Sequence, residues 1–254
     1  MEYNTLKNLL KKFDMSENSF SKLPLQSILN QTPNMVLAKV IENGEFIIQN
    51  KKLSIKKGSV LVMPFNFYLN AHRDKNRHKN LKPYKVKFKN VYKRYNGQDL
   101  NHKRLLVWRT GGFGDLMFSQ PVLRYLKKKY PSCKITFATS PNFLPLLADW
   151  PEKIVDDYLT IPFDYKFLVN SDYHLTFEGL IERSIDAKKI NAYDLFAMGS
   201  GIYDELMKTG DSSIYETVLK TDPQIEKEII NNIPKDDYVV IQMRSSSHIR
   251  IWDP

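Results

Sequence analysis

A single cysteine, Cys133, excludes an internal disulfide and fits a reducing compartment. No apolar run reaches membrane-spanning length, because the longest, Val60 to Ala71 (VLVMPFNFYLNA), is short and interrupted. The N-terminus, MEYNTLKNLLKKFDMSENSF, opens acidic and lacks the apolar centre of a signal peptide, so a cytoplasmic location is expected. The five histidines (His72, His78, His102, His174 and His248) have no ligand-like spacing. No Asp-x-Asp pair offers a seat for a metal-bound nucleotide, and the doublets Asp156-Asp157 and Asp236-Asp237 read as solvated charge. Neither a metal nor a cofactor is expected. Glycine is scarce as well, ten in all, yet three stand at Gly111, Gly112 and Gly114.

What is abundant is positive charge, and it is uneven. Residues 1–100 carry 19 Lys and Arg against 7 Asp and Glu, whereas residues 101–254 carry 19 against 21. Lys51 to Arg94 alone holds 14 basic residues and one acid, Asp74, interleaved with Tyr84, Phe88 and Tyr92. Such a face suits an anionic polymer, an anionic glycolipid or a membrane surface at which the protein sits peripherally; it suits a solvated lysine-rich surface equally. No DNA- or RNA-reading motif accompanies it.

Four regions follow from the pattern along the chain. Residues 1–34 form a helical segment, with Leu6, Leu9, Leu10 and Phe13 at helical spacing. Residues 35–100 form a basic, β-rich module: 35–69 alternates and is punctuated by turns at Glu42-Asn43-Gly44, Gln49-Asn50 and Lys57-Gly58, and YKVKFKNVYKRY (84–95) alternates again. From 101 to 235 the rhythm is strand–helix–strand. RLLVWR (104–109), KITFAT (134–139), KIVDDYLTI (153–161) and DYHLTF (172–177) read as strands. Residues 115–129, 143–148, 192–198 and 222–232 read as helices. Residues 236–254 open with another strand, YVVIQMR (238–244). Alternation of this kind predicts a Rossmann-like α/β fold with an open parallel sheet.

In such sheets ligands gather at the carboxyl ends of the strands, and RTGGFGD (109–115) stands at the end of the first. Its glycines let a backbone approach a ligand, and the following helix offers unpaired N–H groups. Glycines serving a tight turn and close helix packing explain the same residues. A dinucleotide fingerprint fails at Met117 and at the second strand, which ends without an acid. A triphosphate loop fails because no lysine follows the glycines. Asp115 at the helix mouth repels a phosphate; it serves either as a helix cap or as a base for a sugar hydroxyl, with Arg109 balancing its charge. Glu178 and Glu182, four apart in FEGLIERS, fit a surface helix better than a cleft, and Cys133 fits inert packing.

Residues 104–141, RLLVWRTGGFGDLMFSQPVLRYLKKKYPSCKITFATSP, resemble the N-terminal signature of the family 9 glycosyltransferases, the ADP-heptose:lipopolysaccharide heptosyltransferases and their relatives. The resemblance implies the acceptor-side half of a GT-B fold, in which two Rossmann-like domains face each other across a cleft. It implies inverting, metal-independent transfer from a nucleotide-diphospho-sugar donor to a glycan or glycolipid acceptor. Asp115 falls on the family's proposed base, with Arg109, Thr110, Gly111, Gly112 and Gly114 as the acceptor-side loop. YVVIQMRSSSHIRIWDP (238–254) is similar to the opening of the family's donor-side domain; Ser246, Ser247 and Arg250 fall on its diphosphate-binding positions, with Trp252 as landmark.

The sequence departs from the family in its first hundred residues, and it ends at Pro254, just inside the second domain. A truncated chain, a split enzyme completed by a second chain, and a half kept for acceptor binding all stay open. Two further readings stand beside catalysis: a non-catalytic glycan-binding or assembly module, and an anionic-polymer binder acting through residues 51–95.

Overall fold

The computed structural model describes residues 3–15, 20–48, 51–73, 80–148, 150, 153–210, 216–220 and 222–233. It divides into two compact units, Met1–Leu219 and Lys220–Pro254.

The first unit opens with helices α1 (Tyr3–Phe13) and α2 (Leu25–Leu29). Four strands and a helix follow: β1 (Met35–Val40), β2 (Gly44–Ile48), β3 (Lys51–Ile55), β4 (Val60–Pro64), α3 (Phe65–Arg73), and then the short β5 (Leu81–Pro83). Strands β2 and β3 pair as a separate hairpin. The α/β part runs β6 (Arg104–Trp108), α4 (Phe113–Lys129), β7 (Lys134–Thr139), α5 (Leu144–Ala148), β8 (Asp157–Thr160) and β9 (Phe163–Asp164). It continues with α6 (Tyr165–Val169), β10 (Tyr173–Thr176), α7 (Ala192–Gly199) and α8 (Tyr203–Thr209).

Two four-stranded sheets carry the architecture. One is antiparallel in the order β5-β1-β4-β9, so β9, from the α/β half of the chain, completes the sheet begun by the N-terminal half. The other is wholly parallel in the order β10-β6-β7-β8. Numbered by appearance, its strands lie 3-2-1-4, which is the Rossmann order. The fold is therefore Rossmann-like, as the strand–helix rhythm predicts.

A parallel sheet needs both faces covered. On one face, Leu105 and Val107 of β6 join Leu116, Leu123 and Leu126 of α4 and Leu195 and Phe196 of α7. The other face lacks the usual helical layer. There Leu106 and Trp108 meet Met35 and Leu37 of β1, Val62 of β4 and Phe163 of β9. Residues of the antiparallel sheet, with Leu168 of α6, share one core with this face of the parallel sheet. The outer face of the antiparallel sheet, with Val36, Ala38 and Val40, is closed by Leu9 and Leu10 of α1 and by Phe65 and Tyr68 of α3.

Two local expectations are corrected. Residues 65–69, grouped with the strands, begin helix α3. Phe65, Tyr68 and Ala71 recur every third residue and are buried, while Asn66 is exposed, a helical period that the apolar run obscures. Residues 84–95 form no strand. Phe88 stands on a single 3-10 turn and, with Tyr92, packs against Trp108, so the aromatic spacing serves the inter-sheet core rather than a ladder. Pairing is confined to one bridge, Arg94 with His174. The basic side chains nearby are partly structural, because Lys87 donates to the Lys12 carbonyl and Lys89 pairs with Asp14 at the end of α1.

In the second unit Asp222 caps α9 (Pro223–Asn232), accepting from Gln224 N at 2.8 Å, with Pro223 at the first helical position. The strand expected at 238–244 lies outside the described residues. Among the described residues no helix is long and apolar enough to cross a membrane.

His174 ties the edge of the parallel sheet to its neighbours. Its Nδ1 accepts from Lys93 N at 2.8 Å, its Nε2 donates to the Leu168 carbonyl at 2.8 Å, and Tyr92 stacks on its ring at 5.6 Å. Burial disfavours the imidazolium and brings its pKa down from 6.5 to about 4. The folded protein thus binds this proton later than the unfolded chain. The contribution of His174 to stability is full above pH 6.5, declines as pH falls, and below about pH 4 is lower by about 3 kcal/mol. Urea unfolding across this range should show that slope, and His174→Gln should flatten it; an unchanged slope in the variant would contradict the assignment.

Candidate functional site at the switch point of the parallel sheet

In a 3-2-1-4 sheet the strand order reverses between the first and fourth strands, and a crevice opens at their carboxyl ends. Here those ends are Trp108 and Thr176. The residues just beyond them, 109–115 and 177–183, form the candidate site.

Its centre is Arg109, which is 2% exposed. The backbone N–H of Arg109 still bonds to the Ala138 carbonyl, so the sheet fixes the start of the side chain. The guanidinium is then held on every edge. Nε donates to the Gly111 carbonyl at 2.8 Å, and Nη1 donates to the Phe177 carbonyl at 3.1 Å and to Glu182 at 3.2 Å. Nη2 donates to both Asp115 and Glu182. Glu178 completes the cluster, with its Oε2 3.7 Å from Nη1. The Thr110 N–H donates to the other Glu178 oxygen. One buried cation thereby joins the first strand, the start of α4 and the turn after the fourth strand.

The glycines have distinct duties. Gly112 adopts φ +87°, and a Cβ there would overlap the Asp115 carboxylate. Its bareness lets that carboxylate fold back beneath the turn to reach Arg109. At Gly111 a Cβ would crowd the Phe143 ring at 3.1 Å. Gly114 is one residue into α4 and has room around it. Asp115 stands in the first helical turn, where the positive end of the dipole favours its charge. Phe113 beside it is 58% exposed.

The surroundings separate the carboxylates. Desolvation raises the pKa of Glu178 against the pull of Arg109. Glu182 is held below its usual value by its hydrogen bonds and charge attraction to Arg109, which outweigh its own desolvation. The same acids raise the pKa of Arg109, which stays charged. Beside them lies a cleft of about 350 Å³ lined by Thr110, Glu178, Gly179, Glu182 and Arg183 from this side. Across it stand Phe20, Asn34, Met35, Pro64 and Asn66.

The structure brings Arg109, Thr110, Gly111, Gly112 and Asp115 together. Ser246, Ser247, Arg250 and Trp252 lie outside the described residues. Glu178 and Glu182 are on a run of turns rather than a surface helix, and both face Arg109. Their signal in the sequence is their position just after the fourth strand, but only the strand order shows that this end adjoins the first. Asp156, expected as solvated charge, accepts from Lys127 Nζ and from Ile135 N, each at 2.8 Å, and pins β7 to α4. Cys133 is buried, and burial pushes its thiol up to about 11. It should resist alkylation in the native protein and react once unfolded; rapid native labelling would contradict its placement.

Fold and site together define an open α/β protein with a charged cluster at its switch point. No protein-family model matches the sequence, and no curated protein matches it. Among solved structures it is similar to a family 9 glycosyl transferase from Veillonella parvula DSM 2008, at 22% identity and a TM-score of 0.24 over 26% of this chain and 19% of that one. It is similar also to the iron-containing dodecameric glycosyltransferase TibC from enterotoxigenic E. coli H10407, at 12% identity and a TM-score of 0.31 over 67% of this chain and 42% of that one. The chain thus spans less than half the length of either structure. Both likenesses are partial, and the fold assignment stands on the strand order itself.

Removing the cation should leave three carboxylates facing one another. Arg109→Leu should cost about 3 kcal/mol or more in urea unfolding, and Arg109→Lys, which keeps the charge but not the fork, should fall between it and the parent. A parental midpoint for Arg109→Leu would show that the cluster contributes nothing. Gly112→Ala should cost about 1–3 kcal/mol by the same measurement, because the backbone strain and the overlap with Asp115 act together.

Proposed function

We propose that the protein is a glycosyltransferase acting through this switch-point cluster. The proposed reaction is inverting, metal-independent transfer from a nucleotide-diphospho-sugar to a hydroxyl of a glycan or glycolipid acceptor. The observation that carries the reading is the junction of Asp115, Arg109 and Glu182. A carboxylate at a helix mouth, 19% exposed on its side chain, is held by a buried guanidinium whose other carboxylate partners, Glu178 and Glu182, line a cleft at the point where such sheets bind ligands. The family resemblance of residues 104–141 supports the same assignment.

In this reaction Asp115 accepts the proton of the acceptor hydroxyl as its oxygen attacks the anomeric carbon. The new carbon–oxygen bond forms as the bond to the diphosphate breaks, and the nucleoside diphosphate leaves with that electron pair. Arg109 orients the carboxylate and disperses the charge of three acids, which would otherwise repel one another. Ser246, Ser247 and Arg250 are the proposed contacts of the leaving diphosphate. The donor is a substrate, and no cofactor is needed.

Transfer from a panel of nucleotide-sugars to saccharide acceptors, with released nucleoside diphosphate as the readout, tests the proposal. Asp115→Asn should lower kcat by about 100-fold or more while far-UV circular dichroism and the unfolding midpoint stay near those of the parent. Undiminished turnover in the variant would remove Asp115 from the role of base. Absence of turnover with every donor in the parent would overturn the reading as a transferase.

A further inference from the structure

The cleft has two walls of different origin. One comes from the switch point and holds Thr110, Glu178, Glu182 and Arg183. The other comes from the N-terminal hundred residues and holds Phe20, Asn34, Met35, Pro64 and Asn66. The second wall is fixed to the first. Leu23 N donates to the Arg183 carbonyl at 2.8 Å, and Ile185 N donates to the Leu23 carbonyl at 3.0 Å. Leu25 N donates to Asp186 at 2.7 Å, and Arg183 Nη2 donates to Gln31 at 2.6 Å. The antiparallel sheet lies against the parallel one behind it. The cleft is built into one compact unit, with its walls held by hydrogen bonds and a shared core.

The chemistry of the lining selects among ligands. A phosphate or carboxylate group would meet two carboxylates, Glu178 and Glu182, against one lining guanidinium, Arg183, which already donates to Gln31 and to the Ser21 carbonyl. An ammonium group would find both carboxylates already engaged by Arg109. A guanidinium-bound carboxylate still has lone pairs that accept from hydroxyls, and the amides of the asparagines both donate and accept. Glu182 is 55% exposed on its side chain, and Phe20, whose ring lies 5.9 Å from that of Phe65, is 48% exposed, so an acceptor and an aromatic ring are both accessible in the lining. Acceptors, amides and an aromatic face with little net charge suit a neutral polyhydroxylated ring. The volume is at the lower end of ordinary ligand pockets and matches one or two sugar units.

From this we infer that the cleft binds a neutral mono- or disaccharide unit of the acceptor, and that the N-terminal residues Phe20 and Asn66 determine which sugar is accepted. The inference rests on the transferase reading for its context and adds to it a substrate class and a specificity wall. Glu182, which lines the cleft, is joined to Asp115 through the Nη2 of Arg109 that both accept from.

Saturation-transfer NMR of the full chain with a panel of neutral mono- and disaccharides, one sialylated sugar and one sugar phosphate tests it directly. At least one neutral saccharide should give a signal, and both charged sugars should give none. Phe20→Ala and Asn66→Ala, each checked for a parental unfolding midpoint, should weaken binding about ten-fold, the equivalent of one lost hydrogen bond or ring contact. No signal from any neutral sugar, stronger binding of a charged one, or parental affinity in both wall variants would overturn the inference. Saccharide binding without transfer would leave this site in place and remove the reaction. Transfer that depends on Asp115 but ignores both wall variants would do the reverse.

Discussion

A guanidinium without water must find its partners in the protein, and that requirement on Arg109 organises everything around it. Taking a charge out of water costs several kcal/mol unless geometry and partners compensate. Here the partners come from two stretches: the Gly111 carbonyl and Asp115 carboxylate just beyond β6, and the Phe177 carbonyl with the Glu178 and Glu182 carboxylates just beyond β10. The second stretch reaches Arg109 only because the strand order sets β6 beside β10. The cluster therefore depends on the topology and in turn locks it at the crevice. Gly112 belongs to the same constraint, because a side chain there would occupy the space of the Asp115 carboxylate.

The second constraint is the uncovered face of the parallel sheet. Helices α4 and α7 close one side, and the antiparallel sheet closes the other with Met35, Leu37 and Val62 against Leu106 and Trp108. A residue such as Trp108, wholly buried on that face, needs the N-terminal residues to keep it from water. Covering the sheet also brings the segment from Phe20 to Asn66 up to the crevice. Fold stability and the shape of the cleft thus share a cause.

Much of this was legible in the residues, and the illegible parts have physical reasons. KITFAT and the glycine turn could be read because strand composition and turn chemistry are local properties. The segment 84–95 reads as a strand because its aromatic spacing, which serves a core contact with Trp108 and His174, imitates a ladder's alternation. Asp156 looked like solvent-facing charge because its partners, Lys127 and Ile135 N, are 29 and 21 residues away. Glu178 and Glu182 were undervalued for a related reason: their meaning comes from lying beside the first strand, and pairing order is a tertiary property. Ser246, Ser247 and Arg250 rest on resemblance alone.

The proposed function places ligand chemistry where β6 and β10 end. Amide chemical-shift mapping with a saccharide acceptor, repeated with a nucleotide-sugar, tests it most directly. The account predicts that the acceptor shifts the amides of Thr110, Gly111, Glu178 and Gly179, and leaves those of β2 and β3 unmoved. Shifts confined to the β2–β3 hairpin, or absent from the ends of β6 and β10, would contradict it.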